Sequence, residues 1–554
     1  MSSLNADRKV PTLPSSLHKY GSPLSGSLRS EESAAAGGVG YEQAQPQPPQ
    51  SRSQGEYGSF KSNSFSSVRD SPSMLGAIGV DPKALELSKK NTEIVIRPLV
   101  HTPTVSRIFS RVEPGSLRGS IFTLSSSAIG AGVLSLPLVM KNTGLIMGGG
   151  LCLIGAALAL LSMNMLVDTA DVVLFARGAT GGRSISYSEL VTQILGPNWG
   201  IMLEITLVVY CFGTIVGYLL VIGKAIGGLC QAVQIDLPSP GFPIMMAACL
   251  ALPLALFKDI SSLALSSLLA ITAMIYVSMS ITYRGLESGN LTGVPEPYFR
   301  FGSDFCSSAT IVFFAYNCHV NIFSIYSSLH YPLVSRMKKV TQRSVALELV
   351  LYLSVSTSGY MLFHGDTAGN ILQNFAATDI LMTVGKAGVA TALTASLPLC
   401  LHPARENFYL LYYKLTGQYK HDALESMNTP LLNEKDSTTI MQVKATKPQA
   451  SLAFHVATTL CMMGGALFLA LNVPGVSVVF SFLGATACVI ICYALPILMY
   501  IAVIDQRSVL ASRSSVLCQK IGLLTLLAIL VVIGAISASS SLMQIVALLS
   551  GKES

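Results

Sequence analysis

The chain has 554 residues, 51% hydrophobic and 12% charged, with a formal net charge of +7. Soluble domains carry roughly twice that charged fraction. Apolar runs long enough to cross a bilayer, which takes roughly 20 residues, recur from residue 119 onward. A soluble binding module is thereby excluded, and the fold class is an all-α polytopic membrane protein. The positive charge points to no nucleic acid, because basic residues in this class mostly set topology. The eleven cysteines lack CxxC spacing and sit mostly in apolar runs, as small packing residues rather than a metal site.

Residues 1–110 are rich in Ser, Pro, Gln and Gly and poor in apolar runs, which predicts a disordered cytoplasmic tail. The first 20 residues lack an apolar core, so no signal peptide is expected. A transmembrane domain over 115–546 follows, with about eleven predicted spans: 119–140, 145–167, 201–226, 243–257, 261–283, 305–329, 344–363, 380–401, 454–471, 478–504 and 521–546. A polar cytoplasmic insert is expected at 405–449 and a short tail at 547–554.

With the amino terminus in the cytoplasm, the inside loops collect Arg177, Arg183, Lys258, Arg336, Lys338, Lys339, Arg343, Arg405, Lys414, Lys420, Arg507, Arg513 and Lys520. The outside loops keep little beyond Lys141, Arg284 and Arg300, which is the asymmetry of the positive-inside rule. The N-x-[ST] sequon at Asn290 falls in a loop that this topology puts outside, as a glycosylation site requires.

The first span, GSIFTLSSSAIGAGVLSLPLVM, is a poor uninterrupted helix. Ser125, Ser126 and Ser127 precede Gly130-Ala131-Gly132, and Pro137 follows. Hydrocarbon has no water, so a broken backbone survives only inside protein or beside a polar cavity. Close packing through small residues is the other reading of the same stretch. The sixth span puts Asn317, Cys318 and His319 near mid-membrane without a central Gly or Pro, so its break is inferred from polarity alone. Spans one and six open successive five-span blocks, which an odd topology relates by inversion, as in an alternating-access carrier. Half-helix amino-terminal ends present free N–H groups to a carboxylate, while hydroxyls and unwound carbonyls suit a small cation. In the eighth span Thr391, Thr394 and Ser396 are candidate hydroxyls, and Lys386 is open to snorkelling, to a pathway role, or to standing in for a cation.

Five separated motifs then carry a resemblance. IFTLSSSAIGAGVLSLPLVMKNTG, AYNCHVNIFSIYSSL, RMKKVTQRSVALELVLYLSVSTSGYMLFHG, KAGVATALTASLPLCLHPARE and VVFSFLGATACVIICYALPILMYI resemble the first, sixth, seventh, eighth and tenth spans of the amino acid/auxin permease family. The likeness is greatest to its sodium-coupled neutral amino acid branch and covers about residues 115–545. It implies a LeuT-like fold, a 5+5 inverted repeat plus one helix, and amino acid transport. By the same resemblance Gly130, Ala131 and Gly132, with Ser125 and Ser127, line the substrate, and Asn317, Cys318 and His319 oppose them. Thr394, with Ser126, Ala128 and Ser396, lies at an ion position for Na+ or H+. Ser126 stands where sodium-coupled relatives often have asparagine, which leaves proton coupling and facilitated exchange open.

The expected partners are an amino acid substrate and the lipid bilayer, in a plasma or a vacuolar/lysosomal membrane; no oligomeric state is indicated. Among acidic residues, Glu204 is the nearest candidate for a cationic substrate, and neutral amino acids are preferred. An amino acid sensor signalling through the tail is a second class. Paired carboxylates, HExxH and GxSxG are absent from the sequence, so no enzyme is expected.

Overall fold

Ser116 opens the membrane domain: its hydroxyl accepts the Gly119 N–H at 3.1 Å and caps α1, Leu117–Ala128. The computed structural model describes residues 115–176, 185–256, 264–288, 298–416, 451–507 and 513–550. The predicted tail over 1–110, Asn290, Arg177, Arg183, Lys258 and most of the polar insert lie outside these residues.

The first span breaks where the glycines predict. The Ile129 N–H closes α1 onto the Ser125 carbonyl, and the Gly130 N–H turns back onto the Ala128 carbonyl, both at 2.8 Å. That second bond spans only two residues and ends the ladder. A 3₁₀ turn, Ala131–Ser135, leads into α2, Leu136–Thr143, bent 49° from α1. Pro137 sits in the first turn of α2, where its missing N–H has no intrahelical partner to lose.

The chain continues through α3 (Leu145–Ala176), the short α4 (Tyr187–Leu195), α5 (Pro197–Ala232), α6 (Phe242–Leu256) and α7 (Ala264–Glu287). The sixth span is also interrupted: α8 (Phe305–Ala315) stops at Tyr316, a 3₁₀ turn covers His319–Asn321, and α9 runs over Ile322–Ser328. No glycine or proline makes that break. The Asn317 N–H tightens onto the Phe314 carbonyl at 3.2 Å, and Cys318 leaves the helical region. Then come α10 (Val334–Phe363), α11 (Ile380–Leu415), α12 (Leu452–Asn472), α13 (Val476–Leu483), a π-helical stretch Gly484–Ala494, α14 (Leu495–Arg507) and α15 (Arg513–Leu549).

Among the described residues nine helices are long and apolar enough to cross a membrane, and the bent α1/α2 pair makes a tenth. The 15-residue α6, carrying Pro253, is a shorter apolar helix at the position of the predicted fourth span. Each of the eleven predicted spans coincides in chain order with one of these helices or helix pairs, ten of them long and apolar enough to cross. Several helices outrun their predicted spans, α3 to Ala176, α5 to Ala232, α10 from Val334 and α15 from Arg513, and α11 continues through Arg405 to Leu415, past the expected start of the insert at 405. Arg405 explains the last extension. Its guanidinium is buried and donates to the Ala255 carbonyl and the Thr459 hydroxyl, both at 2.8 Å, so the helix end packs on α6 and α12 instead of leaving the domain.

The sixth span is the innermost element, 83% of its apolar window being buried, against 22% for α15. The buried core surrounds both breaks. Gly484, at the start of the π-helical stretch, lies against the Thr310 carbonyl of α8 with no room for a Cβ. Small residues thus bring span ten onto span six.

Candidate functional site: a cavity at the two breaks

The two interruptions meet at Tyr352. Its fully buried hydroxyl lies 3.0 Å from the Ala128 carbonyl, at the end of α1, and 2.8 Å from the Ala315 carbonyl, at the end of α8. One proton is shared between the two terminal carbonyls, so α10 ties the half-helices together. Helix ends leave carbonyls without intrahelical partners, and in the membrane such groups must be satisfied by protein.

Beside the junction lies a cavity of about 400 Å³, a size suited to a small solute. From α1 it is lined by Thr123, Ser126, Ser127 and Gly130; from span six by Asn317, Cys318, Asn321 and Ser324. From α5 come Tyr210, Thr214 and Tyr218, and from α11 Ser396, Cys400 and Asn407. Its polar groups are hydroxyls, amides, thiols and backbone, and among the described residues no Asp, Glu, Lys, Arg or His lines it. Thr123, Asn321 and Ser324 are exposed at its mouth, at the end of the bundle where α1 begins.

Gly130 faces this space. A Cβ there would meet only the Tyr218 hydroxyl at 3.6 Å and the Ala128 carbonyl at 3.9 Å. The first bond of the 3₁₀ turn is Val133 N–H to the Gly130 carbonyl, so the N–H groups of Ala131 and Gly132 precede the ladder. Their side positions do not line the cavity. Ala131 is buried, and a Cβ on Gly132 would press on the Ala315 Cα at 3.2 Å and the Phe314 ring at 3.3 Å. Gly132 is therefore a packing glycine between α1 and α8.

The serines divide in the same way. Ser126 and Ser127 reach the cavity, each hydroxyl back-bonding to a carbonyl three residues earlier. Ser125 is fully buried and does not line the cavity, and its Oγ has no hydrogen-bond partner among the described residues. Asn317 lines the cavity while its amide is held by two thiols of the π-helical stretch. Its Nδ2 lies 3.6 Å from Cys488 Sγ, and the Cys492 thiol donates to its Oδ1 at 3.2 Å. Cys318 lines the cavity and packs on Met163.

Several expected residues lie elsewhere. His319 is fully buried and faces α3, with its Nε2 2.7 Å from the Ser162 hydroxyl and its ring edge-on to Tyr493; it does not line the cavity. The Ala128 carbonyl accepts from both Gly130 and Tyr352, which occupies its two lone pairs and leaves none for a cation. Thr394 back-bonds to Ala390 at 2.7 Å and does not line the cavity, whereas Ser396, two residues on, does. A spacing of two residues turns a helix by more than half a circle, so only one of the pair faces inward. Of the expected ion ligands, Ser126 and Ser396 border the cavity and Ala128 and Thr394 are turned away. The cavity thus takes in two of the four expected ion ligands.

Charged residues named from sequence are also accounted for. Glu204 is buried and paired with Lys414 at 2.7 Å, clamping α5 to α11. Lys386 donates to the Phe375 carbonyl at 2.8 Å, at a second cavity of about 550 Å³. That cavity takes Gly223 to Gln231 of α5, where the first takes Leu207 to Tyr218. The buried turn Leu219–Ile222 divides them along α5. On this far side Ser135 donates to the Gly369 carbonyl at 2.7 Å and Lys141 to the Thr367 carbonyl at 3.1 Å. These bonds fasten α2 to the segment between α10 and α11.

Tyr352, Tyr218, Asn321 and Asn407 were not singled out from sequence. Tyrosines and asparagines within or beside apolar spans are a weak signal, because their facing is set by helix rotation.

The family profile described as transmembrane amino acid transporter protein matches residues 113–545. The chain is 25% identical over 416 residues to vacuolar amino acid transporter 6 of Saccharomyces cerevisiae, covering 69% of this chain and 88% of that protein. It is 24% identical over 358 residues to sodium-coupled neutral amino acid transporter 7 of Xenopus laevis, covering 62% and 76%. Among solved structures, the Eremococcus coleocola manganese transporter aligns at a TM-score of 0.44 with 13% identity, covering 79% of this chain and 93% of that chain.

Proposed function

The chain belongs to the transmembrane amino acid transporter family, and on that premise we propose that it is a secondary carrier of neutral amino acids working by alternating access. The observation that carries this reading is the cavity at the two breaks, lined by hydroxyls, amides and apolar side chains and, among the described residues, by no charged group. A zwitterion brings its own two charges. Its carboxylate is suited to the free N–H groups that open the 3₁₀ turn after Gly130, and its ammonium to carbonyls and to the Asn317 and Asn321 amides. A cationic side chain would need a buried carboxylate partner in the cavity wall, and Glu204 is engaged by Lys414.

Substrate contact is assigned to Ser126, Ser127, Gly130, Asn317 and Cys318, together with Tyr210 and Tyr218. Access from one end fits a carrier cycle: the cavity opens where α1 begins, and the α2 bonds to Gly369 and Thr367 fasten the other side. The amino terminus is read as cytoplasmic, and the membrane as plasma or vacuolar/lysosomal.

The test is counterflow in proteoliposomes. Vesicles preloaded with an unlabelled neutral amino acid should take up its labelled form, with other neutral amino acids competing and Lys, Arg, Asp and Glu not. Competition by Lys or Arg equal to that of neutral amino acids would overturn the substrate class. Absence of counterflow for any amino acid would overturn the carrier reading.

A further inference from the structure

Glu348 lies near the middle of α10 and is fully buried, and neither of its carboxyl oxygens has a hydrogen-bond partner among the described residues. Among the described residues no cationic side chain faces it. Its titratable neighbours are Tyr352 on its own helix and Tyr316 and Cys318 at the span-six break, with Cys152 of α3 behind them. On α7, Tyr276 is bonded to the Leu381 carbonyl and Arg284 is paired with Asp379, while Lys141 of α2 is held at Thr367.

The face α10 presents to α1 is settled by the bonds on either side of Glu348. Ser344, one turn before, donates to the Ile121 carbonyl at 3.1 Å, and Tyr352, one turn after, donates to the Ala128 carbonyl. Glu348 therefore falls level with Leu124 and Ser125 of α1, a turn that brings no titratable group. Ser125 Oγ and the Tyr316 hydroxyl are likewise buried without partners. An ionised carboxylate in that setting would lack both water and counter-charge. An ionisable residue inside the membrane that serves no ion pair marks a functional site.

We propose that Glu348 is the proton-binding residue of the transport cycle, protonated where α1 and α8 are held together by Tyr352 and exposed to water when the half-helices part. The carboxylate takes a proton from water on one side, forming one O–H bond, and returns it to water on the other side. Tyr352 makes the link to substrate, because its hydroxyl touches the carbonyl ends of both half-helices that form the cavity. Sodium is disfavoured as the coupling ion, since Ala128 and Thr394 do not line the cavity and the Ala128 carbonyl already accepts two hydrogen bonds.

The inference rests on the carrier reading, and the experiment separates the two. Purified protein is reconstituted with a pH-sensitive dye trapped inside, and counterflow, pH-gradient-driven accumulation and substrate-induced proton movement are measured in sodium-free buffer. Wild type should show all three. Glu348→Gln, which mimics the neutral acid, should lose accumulation and proton movement and keep counterflow. Proton movement unchanged in Glu348→Gln, or absent from a wild type that performs counterflow, overturns the proposal while leaving the carrier reading intact. Should the Gln variant fail to fold, Glu348→Asp decides: a displaced pH dependence of accumulation supports the assignment, and an unchanged one overturns it.

Discussion

At the scale of single residues, the cavity separates glycines that look alike in sequence. Gly130 has only ordinary contacts around a built Cβ, so Gly130→Val should fold and reach the membrane, with its side chain directed at Tyr218 and the carboxylate position. Labelled uptake should then be lost at matched membrane abundance; uptake at the wild-type rate would remove Gly130 from the site. Gly132→Val instead drives atoms into Phe314 and the Ala315 backbone, and overpacking of this kind costs about 1–3 kcal/mol. Its signature is a lower melting temperature in detergent. His319→Ala belongs with Gly132: it removes the bond to Ser162, whose hydroxyl keeps the Ala159 carbonyl, a cost of about 0.5–1.5 kcal/mol before the loss of ring packing. KM for substrate should stay at its wild-type value in whatever fraction folds, and a raised KM would return His319 to the cavity.

At the scale of elements, α11 shows how rotation sorts neighbouring hydroxyls. Thr394→Ala should leave uptake and its ion dependence unchanged, because Thr394 back-bonds to Ala390 away from the cavity. Ser396→Ala removes a hydroxyl from the cavity wall and should raise KM. Equal effects of the two substitutions on KM would mean that the face of α11 is misassigned. The span-ten π-helix acts in a similar way. By directing Cys488 and Cys492 at the Asn317 amide, it fixes the span-six break with thiols, one accepting and one donating, in place of stronger partners. A break held by weak bonds is easily remade, which suits an element that must move.

For the whole molecule, the contacts at its two ends differ in kind. Where α1 begins, Lys338 pairs with Asp168 and Lys414 with Glu204, tying α10 to α3 and α11 to α5 around the open cavity. At the far end Arg284 joins α7 to Asp379, the residue that caps α11. Burial acts to raise the pKa of Asp379, but the hydrogen bonds from Arg284 and from the Met382 and Leu381 N–H groups, with the Arg284 charge, together hold the carboxyl below its ordinary value. A depressed carboxyl stabilises the fold above its unfolded value, near 3.9, and that contribution is lost as pH falls through the folded one. Arg284→Ala should therefore lower the melting temperature at neutral pH only modestly, as befits a partly exposed pair. The difference from wild type should close below about pH 4; a gap that persists in acid would mean packing, not charge, is at stake.

Much of this was legible without coordinates, for a physical reason. A bilayer admits few solutions, so apolar length announces the spans, and Gly130 beside Ser125–Ser127 announces the first break because those residues weaken a helix by their own chemistry. The motifs around both breaks are contiguous in sequence and carried the family. The facing of each side chain was not legible. Thr394 and Ser396, or Gly130 and Gly132, are equivalent in composition and differ only in helix rotation and in which neighbour approaches. Glu348 was readable as an acid within an apolar run, yet its lack of any partner depends on α1, α3 and span six closing around it. The meeting of Ala128, Ala315 and Tyr352 joins positions 224 and 37 residues apart, and only the packed bundle brings them to one hydroxyl. Local chemistry determined that this chain spans a membrane and where its first helix breaks. Long-range packing decided what faces the cavity, because a helix's rotation is set by its neighbours.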